Sequence, residues 1–248
     1  MSKVAEYRKI LHQKKDWKPF LLKESGLPGP RGNLELAEAV ALEADLGRVH
    51  ELLSIPAEEA PENTPQVFLV FCGVTGLGKL IAAGDHSHIV ALRGFASDGR
   101  WRIREAVAIA LQYIGDQDMP FLLREMRGWA RGSWYEKRAA AAALAEPRLL
   151  QDKGASRAAL VILDRITDSM ARSQERKTDA FKTLRQSMGY CWSVAVAADP
   201  KQGKPRFESW LPKRDPDIRW MLRENLGKSR LVRMDRRWVE RCLAHLVE

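Results

Sequence analysis

One pattern recurs in this chain: a tryptophan, an arginine three or four residues later, and then an alanine-rich apolar run that ends in leucine. Residues 101–111 and 134–144 both fit it, and their arginines, Arg104 and Arg138, are 34 residues apart. A third window repeats the spacing of seven residues between an arginine, here Arg219, and a leucine. Apolar residues follow a helical period throughout, and the polar–apolar alternation of strands is almost absent. Paired helices with a period of about 30–40 residues predict an all-α solenoid.

Residues 98–111 resemble the second half of a HEAT repeat. Asp98 lies in the expected turn, Arg104 follows six residues later, and alanines then alternate with aliphatic residues. From about residue 66 to its end the chain is also similar to an uncharacterised bacterial family of HEAT-repeat proteins. Four stretches carry this similarity: residues 72–79, 101–112, 189–195 and 223–231. The resemblance implies an all-α, right-handed, HEAT-like α-α superhelix of about five helix pairs, and it implies no particular activity.

Two breaks divide the N-terminal part of the chain. Residues 25–32 hold two prolines and three glycines, and residues 55–65 hold three prolines and three glutamates. Between these breaks, Asn33 is the expected N-cap of an acidic helix. We therefore expect an N-terminal helical segment over residues 1–65 and a HEAT-like repeat domain over residues 66–248.

Charge is unevenly distributed along the chain. The formal net charge is +9, but residues 33–66 carry −7 and residues 172–248 carry +8. A basic C-terminal third indicates an anionic partner. It equally suits the charged cap that a terminal repeat needs, and Gly227 is expected to end a helix in this region.

Composition excludes several classes of protein. With 45% hydrophobic and 29% charged residues, the chain is neither disordered nor collagen-like. The polar N-terminus is unlike a signal peptide, and the longest apolar run, residues 67–74, is too short to span a membrane. The scattered cysteines Cys72, Cys191 and Cys242 predict buried free thiols in a reducing compartment. The expectation is a cytoplasmic monomer without membrane contact.

Two motifs resemble sites that bind a phosphate or a metal ion. Residues 73–80 fit a phosphate-binding loop except at Leu80, which replaces the hydroxyl residue that would hold magnesium. The alternative is a helix whose glycines allow close packing. His86 and His88 have the spacing of metal ligands, but a structural zinc site needs four ligands and no Cys-x-x-Cys is present. We expect no metal, no cofactor and no catalytic residue.

Aromatic and basic residues recur near the starts of the second helices of the pairs. On stacked repeats they line one groove, where arginines meet phosphates and rings stack on bases. Alternatively, the arginines pair with the turn carboxylates of Asp98 and Asp215, and Trp192 belongs to the core. The predicted groove residues are Trp101, Arg104, Trp134, Tyr135, Glu136, Arg138, Tyr190, Arg219, Trp220 and Arg223.

The run from Ser133 to Glu136 is similar to the groove motif of helical-repeat DNA glycosylases of the DNA-alkylation-repair type. That resemblance implies DNA in a basic concave groove, with tryptophans and a carboxylate around the damaged nucleotide. Residues 137–140 carry no acid, so Glu136 would have to stabilise the cationic sugar. Two functions remain open. The first is a non-catalytic interaction module with a protein partner on its concave face, and the alternative is a nucleic-acid-binding protein that uses the same groove.

Overall fold

The computed structural model describes residues 2–246, and this part of the chain is all-α, with 74% of residues helical and no strand. The chain divides into two compact units, residues 1–118 and 119–248. The helices of the first unit are α1 (Lys3–His12), α2 (Lys18–Glu24), α3 (Leu34–Glu43), α4 (Leu46–Leu53), α5 (Pro65–Ala82), α6 (Ile89–Phe95) and α7 (Trp101–Gln117). Those of the second are α8 (Met119–Trp129), α9 (Trp134–Leu144), α10 (Lys153–Ala171), α11 (Asp179–Ala198), α12 (Pro200–Glu208), α13 (Pro216–Leu226) and α14 (Ser229–His245).

Helix α5 lies at the centre of the first unit, where it contacts α2, α3, α4, α6 and α7. Its glycines let the neighbouring helices approach closely. A Cβ on Gly78 would lie 2.5 Å from both the Cα and the Cβ of Ala110 on α7, and one on Gly73 would lie 2.9 Å from Leu53 on α4. Residues 73–80 therefore form the interior of a buried helix, not a phosphate-binding loop, and the close-packing interpretation is confirmed.

The same helix is long and apolar enough, by length and composition, to cross a membrane. In the structure 72% of its 18-residue window is buried inside the protein. Neighbouring helices supply the apolar environment that this composition needs, as expected of a core helix. The sequence predicts a domain boundary after residue 65. In the structure α2, α3 and α4 pack against α5, which lies on the other side of that boundary.

The second unit has two helical layers. Helices α9, α11 and α13 pack side by side, and we call them the second-helix layer. Helix α10 contacts both α8 and α12, and these three make the first-helix layer. Successive helices alternate between the layers, and α14 packs on α11 and α13. Each amphipathic helix thereby buries its apolar side against the other layer.

Several predicted helix ends are confirmed. The side chain of Asn33 accepts a hydrogen bond from the backbone N–H of Leu36 and so caps α3, and Gly227 is the C-cap of α13. One expectation was wrong. Residues 189–198 are the second half of the 20-residue helix α11, so Tyr190 and Trp192 lie within that helix and not near its start. The sequence between residues 179 and 189 continues the helical period without a stop signal, which explains the longer helix.

A buried amide joins α11 to α13. Asn225 is fully buried, and its Oδ1 accepts a hydrogen bond of 2.8 Å from the backbone N–H of Ser193. Its Nδ2 donates to the carbonyl oxygens of Met188 and Met221, each at 2.8 Å. Because a buried polar group is costly without partners, the two bonds to Ser193 and Met188 of α11 favour one register between the two helices.

Candidate functional site

Arg104 stabilises a turn in the first unit. It is only 9% exposed, and its guanidinium donates to the carbonyl oxygens of Asp98 at 2.6 Å and Gly99 at 2.9 Å. The carboxylate of Asp98 instead binds Arg100, at 2.8 and 2.6 Å. Burial raises the pKa of this carboxyl, but the hydrogen bonds and charge of Arg100 outweigh burial and leave the pKa below its usual value. The arginine at the repeat position therefore binds the backbone of the turn.

Arg219 and Arg223 bind the C-terminal end of α14. Each donates to the carbonyl oxygen of Leu246, at 2.6 and 2.5 Å respectively. The last carbonyls of a helix lack partners within it, so two guanidiniums satisfy this helix end. Asp215 is bound by Arg176, at 2.9 and 2.5 Å, rather than by Arg219. The arginines predicted to line one groove therefore bind different partners: Arg104 binds a turn, and Arg219 and Arg223 bind Leu246.

The motif residues at the start of α9 are held by local contacts. Ser133 and Glu136 form a capping box, in which the Glu136 carboxylate accepts from the backbone N–H of Ser133 at 2.5 Å. The indole of Trp134 donates to Glu175 at 2.9 Å and packs edge-on against Phe181, with ring centroids 5.3 Å apart. These contacts join the start of α9 to α11 and to the segment before it.

Aromatic rings and arginines meet on α11, α13 and α14. The guanidinium of Arg185 lies 3.8 Å from the ring centroid of Trp220, and it also binds Asp217 at 2.7 Å. The guanidinium of Arg230 lies 4.6 Å from the centroid of Tyr190 and hydrogen-bonds its hydroxyl. Tyr190 is 41% exposed. We call Arg185, Tyr190, Trp220 and Arg230 the aromatic–arginine cluster.

The other predicted groove residues lie elsewhere. Tyr135 and Arg138 are half-buried on α9, and the charge of Arg138 acts on the Cys191 thiol of α11. Trp101 begins α7 in the first unit and is 43% exposed, with the guanidinium of Arg102 4.4 Å from its ring centroid. The structure therefore pairs Tyr190 with Arg230 and Trp220 with Arg185, two arginines that the groove prediction omitted, and it places Trp101 and Arg104 in the other unit.

A second surface feature of residues 119–246 is a cleft of about 830 Å³, which we call the Lys137 cleft. The α8–α9 turn, one side of α10 and the end of α12 form its walls. Its lining residues are Ala130, Arg131, Lys137, Val161, Asp164, Arg165, Asp168, Ser169, Arg172 and Trp210. The sequence pattern placed Lys137 among the basic residues between the predicted aromatic residues, and it missed the other nine. The spacing of Val161, Arg165, Asp168 and Arg172, which share one side of a helix, is the signal that identifies this side in the sequence.

Lys137 is the most buried charged group of this cleft, at 9% exposed. Its ammonium donates to the carbonyl oxygen of Gly132 at 2.5 Å and lies 4.4 Å from the ring centroid of Trp134. Burial lowers the pKa of Lys137, and the nearby Glu136 and Glu175 only partly oppose this. Because burial destabilises the charged ammonium, an anion beside it is energetically favourable.

Three cysteines and a pair of histidines are further candidates for reactive groups. Cys72, Cys191 and Cys242 are buried free thiols. Burial raises the pKa of Cys72 well above its usual value, and that of Cys191 and of Cys242 to about 11. Within residues 2–246 no three or more His, Cys, Asp or Glu side chains are grouped to hold a metal ion, and His88 lies 3.1 Å from Asp85.

Comparison with known proteins does not add a relative. No protein-family model, curated protein or solved structure significantly matches this chain.

Proposed function

We propose that this chain is a non-catalytic, HEAT-like helical-repeat module that binds a protein partner on its second-helix layer. The alternation of α8–α13 between two layers is the observation that supports this proposal. Helical repeats stacked in this way give an extended surface on which one layer faces a partner. The same interpretation makes the whole chain a superhelix of about five helix pairs.

The aromatic–arginine cluster is the proposed centre of the partner surface. Tyrosine, tryptophan and arginine are the residues most enriched where interfaces gain most of their binding energy. Tyr190 is 41% exposed although it is large and partly apolar. Arg230 and Arg185 hold the two rings in fixed positions, which lowers the entropy cost of binding.

Small-angle scattering tests the superhelix. A compact domain of 248 residues has an expected radius of gyration of about 18 Å. A superhelix of stacked repeats is elongated, so we expect a clearly larger value, and a value near that of a compact domain would contradict the proposal. The same sample, measured by light scattering, tests the predicted monomer. The cytoplasmic location also stays a prediction.

Site-specific photo-crosslinking tests the partner surface. A photoreactive side chain at position 190 is expected to capture a defined partner in cells, and the same side chain at the exposed Lys201 of α12, outside the second-helix layer, is the control. Tyr190→Ala is expected to weaken binding of the recovered, purified partner by at least tenfold. Equal affinity of the variant and the wild type would exclude the cluster as the centre of the interface.

Nucleic-acid binding is the second candidate function. Its support is the net charge of +8 on residues 172–248, since phosphate backbones are bound by clustered cations. We propose binding without base excision, because the Glu136 carboxylate is engaged in the capping box. Anisotropy of labelled single- and double-stranded oligonucleotides tests it. Affinity should fall steeply with salt, and absence of binding at low salt would exclude this candidate.

A further inference from the structure

We propose that the Lys137 cleft binds the phosphate groups of a phosphorylated ligand, with Lys137, Arg131 and Arg165 as the cationic contacts. The proposal goes beyond the partner surface described above, because no residue of the aromatic–arginine cluster lines the cleft. It depends on three properties of the cleft: the unpaired guanidiniums of Arg131 and Arg165, the buried ammonium of Lys137 and the size of the cleft.

The acidic residues of the cleft are already engaged. Asp168 forms an ion pair with Arg172. Asp164 accepts a hydrogen bond of 2.8 Å from the indole of Trp210 and lies 3.9 Å from Arg206. These two carboxylates therefore interact with Arg172, Arg206 and Trp210, and not with the three proposed cationic contacts.

Two exposed cations of the cleft have no side-chain partner within residues 2–246. Within residues 2–246, neither Arg131 nor Arg165 has an ion pair or a hydrogen bond through its side chain, and both are exposed. A guanidinium presents five N–H donors in a planar fork that fits two oxygens of a phosphate. Two unengaged forks on one cleft are therefore suited to an oxyanion.

Lys137 supplies a desolvated charge. An ammonium has three donors, and the carbonyl oxygen of Gly132 takes one of them. The side chain is only 9% exposed, so an anion that reaches it interacts through a medium of low dielectric constant. Such a contact is stronger than one made by a cation on an open surface.

The cleft is larger than a single oxyanion requires. Its volume of about 830 Å³ lies within the range of about 300–1,000 Å³ typical of sites for small organic ligands. Val161 and the ring of Trp210 provide apolar wall beside the cations. A nucleotide, or one nucleotide unit of an oligonucleotide with its flanking phosphates, therefore matches the cleft in size and chemistry.

Binding measurements with a charge-matched control test this proposal. The probes are inorganic phosphate, ATP and a labelled single-stranded 20-mer oligonucleotide, each titrated against the full chain at low salt. Arg165→Gln is the test variant. Arg233→Gln is the control, since Arg233 is exposed on α14, lies outside the cleft and has no side-chain partner within residues 2–246. Both substitutions change the net charge equally.

We expect Arg165→Gln to weaken binding of ATP or of the oligonucleotide about tenfold, and Arg233→Gln to change it less than twofold. For the oligonucleotide, loss of one phosphate contact should also reduce the slope of log K against log salt by about 0.7. Binding of ATP would identify a mononucleotide ligand, and binding of the oligonucleotide alone a polymer. Either result supports the cleft when Arg165→Gln weakens that binding and Arg233→Gln does not.

Two results would overturn the proposal. Equal weakening by both variants would show a general effect of charge, and absence of binding for every phosphate probe would show that the cleft is not a phosphate site. Lys137→Met, with circular dichroism as the folding control, should lose binding at least as strongly as Arg165→Gln. The partner assay with Tyr190→Ala is independent of these measurements, so failure of the cleft and failure of the partner surface remain distinguishable.

Discussion

The close approach of α5 and α7 in the first unit gives a stringent test of the packing argument. Gly78 of α5 faces Ala110 of α7, and a Cβ at position 78 would lie 2.5 Å from the Cα and Cβ of Ala110 and 2.8 Å from its carbonyl oxygen. Ordinary contacts of this kind are longer by about 1 Å. Because two of the three contacted atoms belong to the backbone, no side-chain rotation relieves the overlap. Gly78→Ala must therefore move one helix away from the other.

The expected cost follows from two opposing effects. Replacing glycine by alanine within a helix stabilises it by about 1 kcal/mol. Overpacking a close-packed core costs about 1–3 kcal/mol, and contact with backbone atoms places this site at the upper end. The net expectation for Gly78→Ala is a loss of about 2 kcal/mol, equivalent to a fall in Tm of roughly 4–8 °C.

Thermal and urea denaturation, followed by circular dichroism, measure this difference. The matched control is Gly94→Ala on α6 of the same unit, where an added Cβ meets nothing within 4 Å. That variant should be at least as stable as the wild type, since only the gain in helix propensity remains. If Gly78→Ala were as stable as Gly94→Ala, the close approach of α5 and α7 would be refuted.

Three further predictions concern the second unit. Asn225→Ala leaves the partners of a buried amide unsatisfied and should lower the free energy of unfolding in urea by about 2–4 kcal/mol; a loss below about 1 kcal/mol would contradict its role between α11 and α13. Burial raises the pKa of Asp215, but Arg176 outweighs it and lowers the pKa, so this ion pair stabilises the fold above the usual aspartate range and loses its effect as pH falls. Arg176→Met should therefore be less stable than the wild type at pH 7, and the difference should narrow below about pH 4 in acid titrations; a constant difference would oppose this account. Because the pKa of Cys191 and of Cys242 is raised to about 11, a thiol reagent at pH 8 should modify these residues only after unfolding in urea, and rapid labelling of the native protein would show that they are accessible.

Sequence patterns correctly predicted features that depend on a single helix. The helical period predicted the all-α class, and Asn33 and Gly227 marked helix ends because caps act within one turn. The glycines near residue 78 predicted a packing helix, since close approach requires small side chains. No stop signal lies between residues 179 and 189, so the prediction of a short helix over residues 189–198 was wrong. That error moved Tyr190 from a helix start to the middle of a helix.

Contacts between distant residues could not be predicted in this way. Arg176 binds Asp215, 39 residues away, and Arg219 binds the backbone of Leu246, 27 residues away. Which arginine reaches which acceptor depends on how packed helices are rotated and on the side-chain conformations that packing allows. The repeated spacing in the sequence specifies neither the rotation of the helices nor the side-chain conformations. Arginines at equivalent positions therefore bind different partners.

The sequence by itself determined that this protein is built from helices, that α3 begins after Asn33 and α13 ends at Gly227, and that the glycines near residue 78 allow a helix to pack closely. These properties depend on hydrophobic period and capping within a few residues. Only the tertiary structure decided that Lys137 is buried at a basic cleft and that Tyr190 and Trp220 each stack with an arginine. Those arrangements depend on which faces of separate helices meet, and that choice is made by packing of the whole unit.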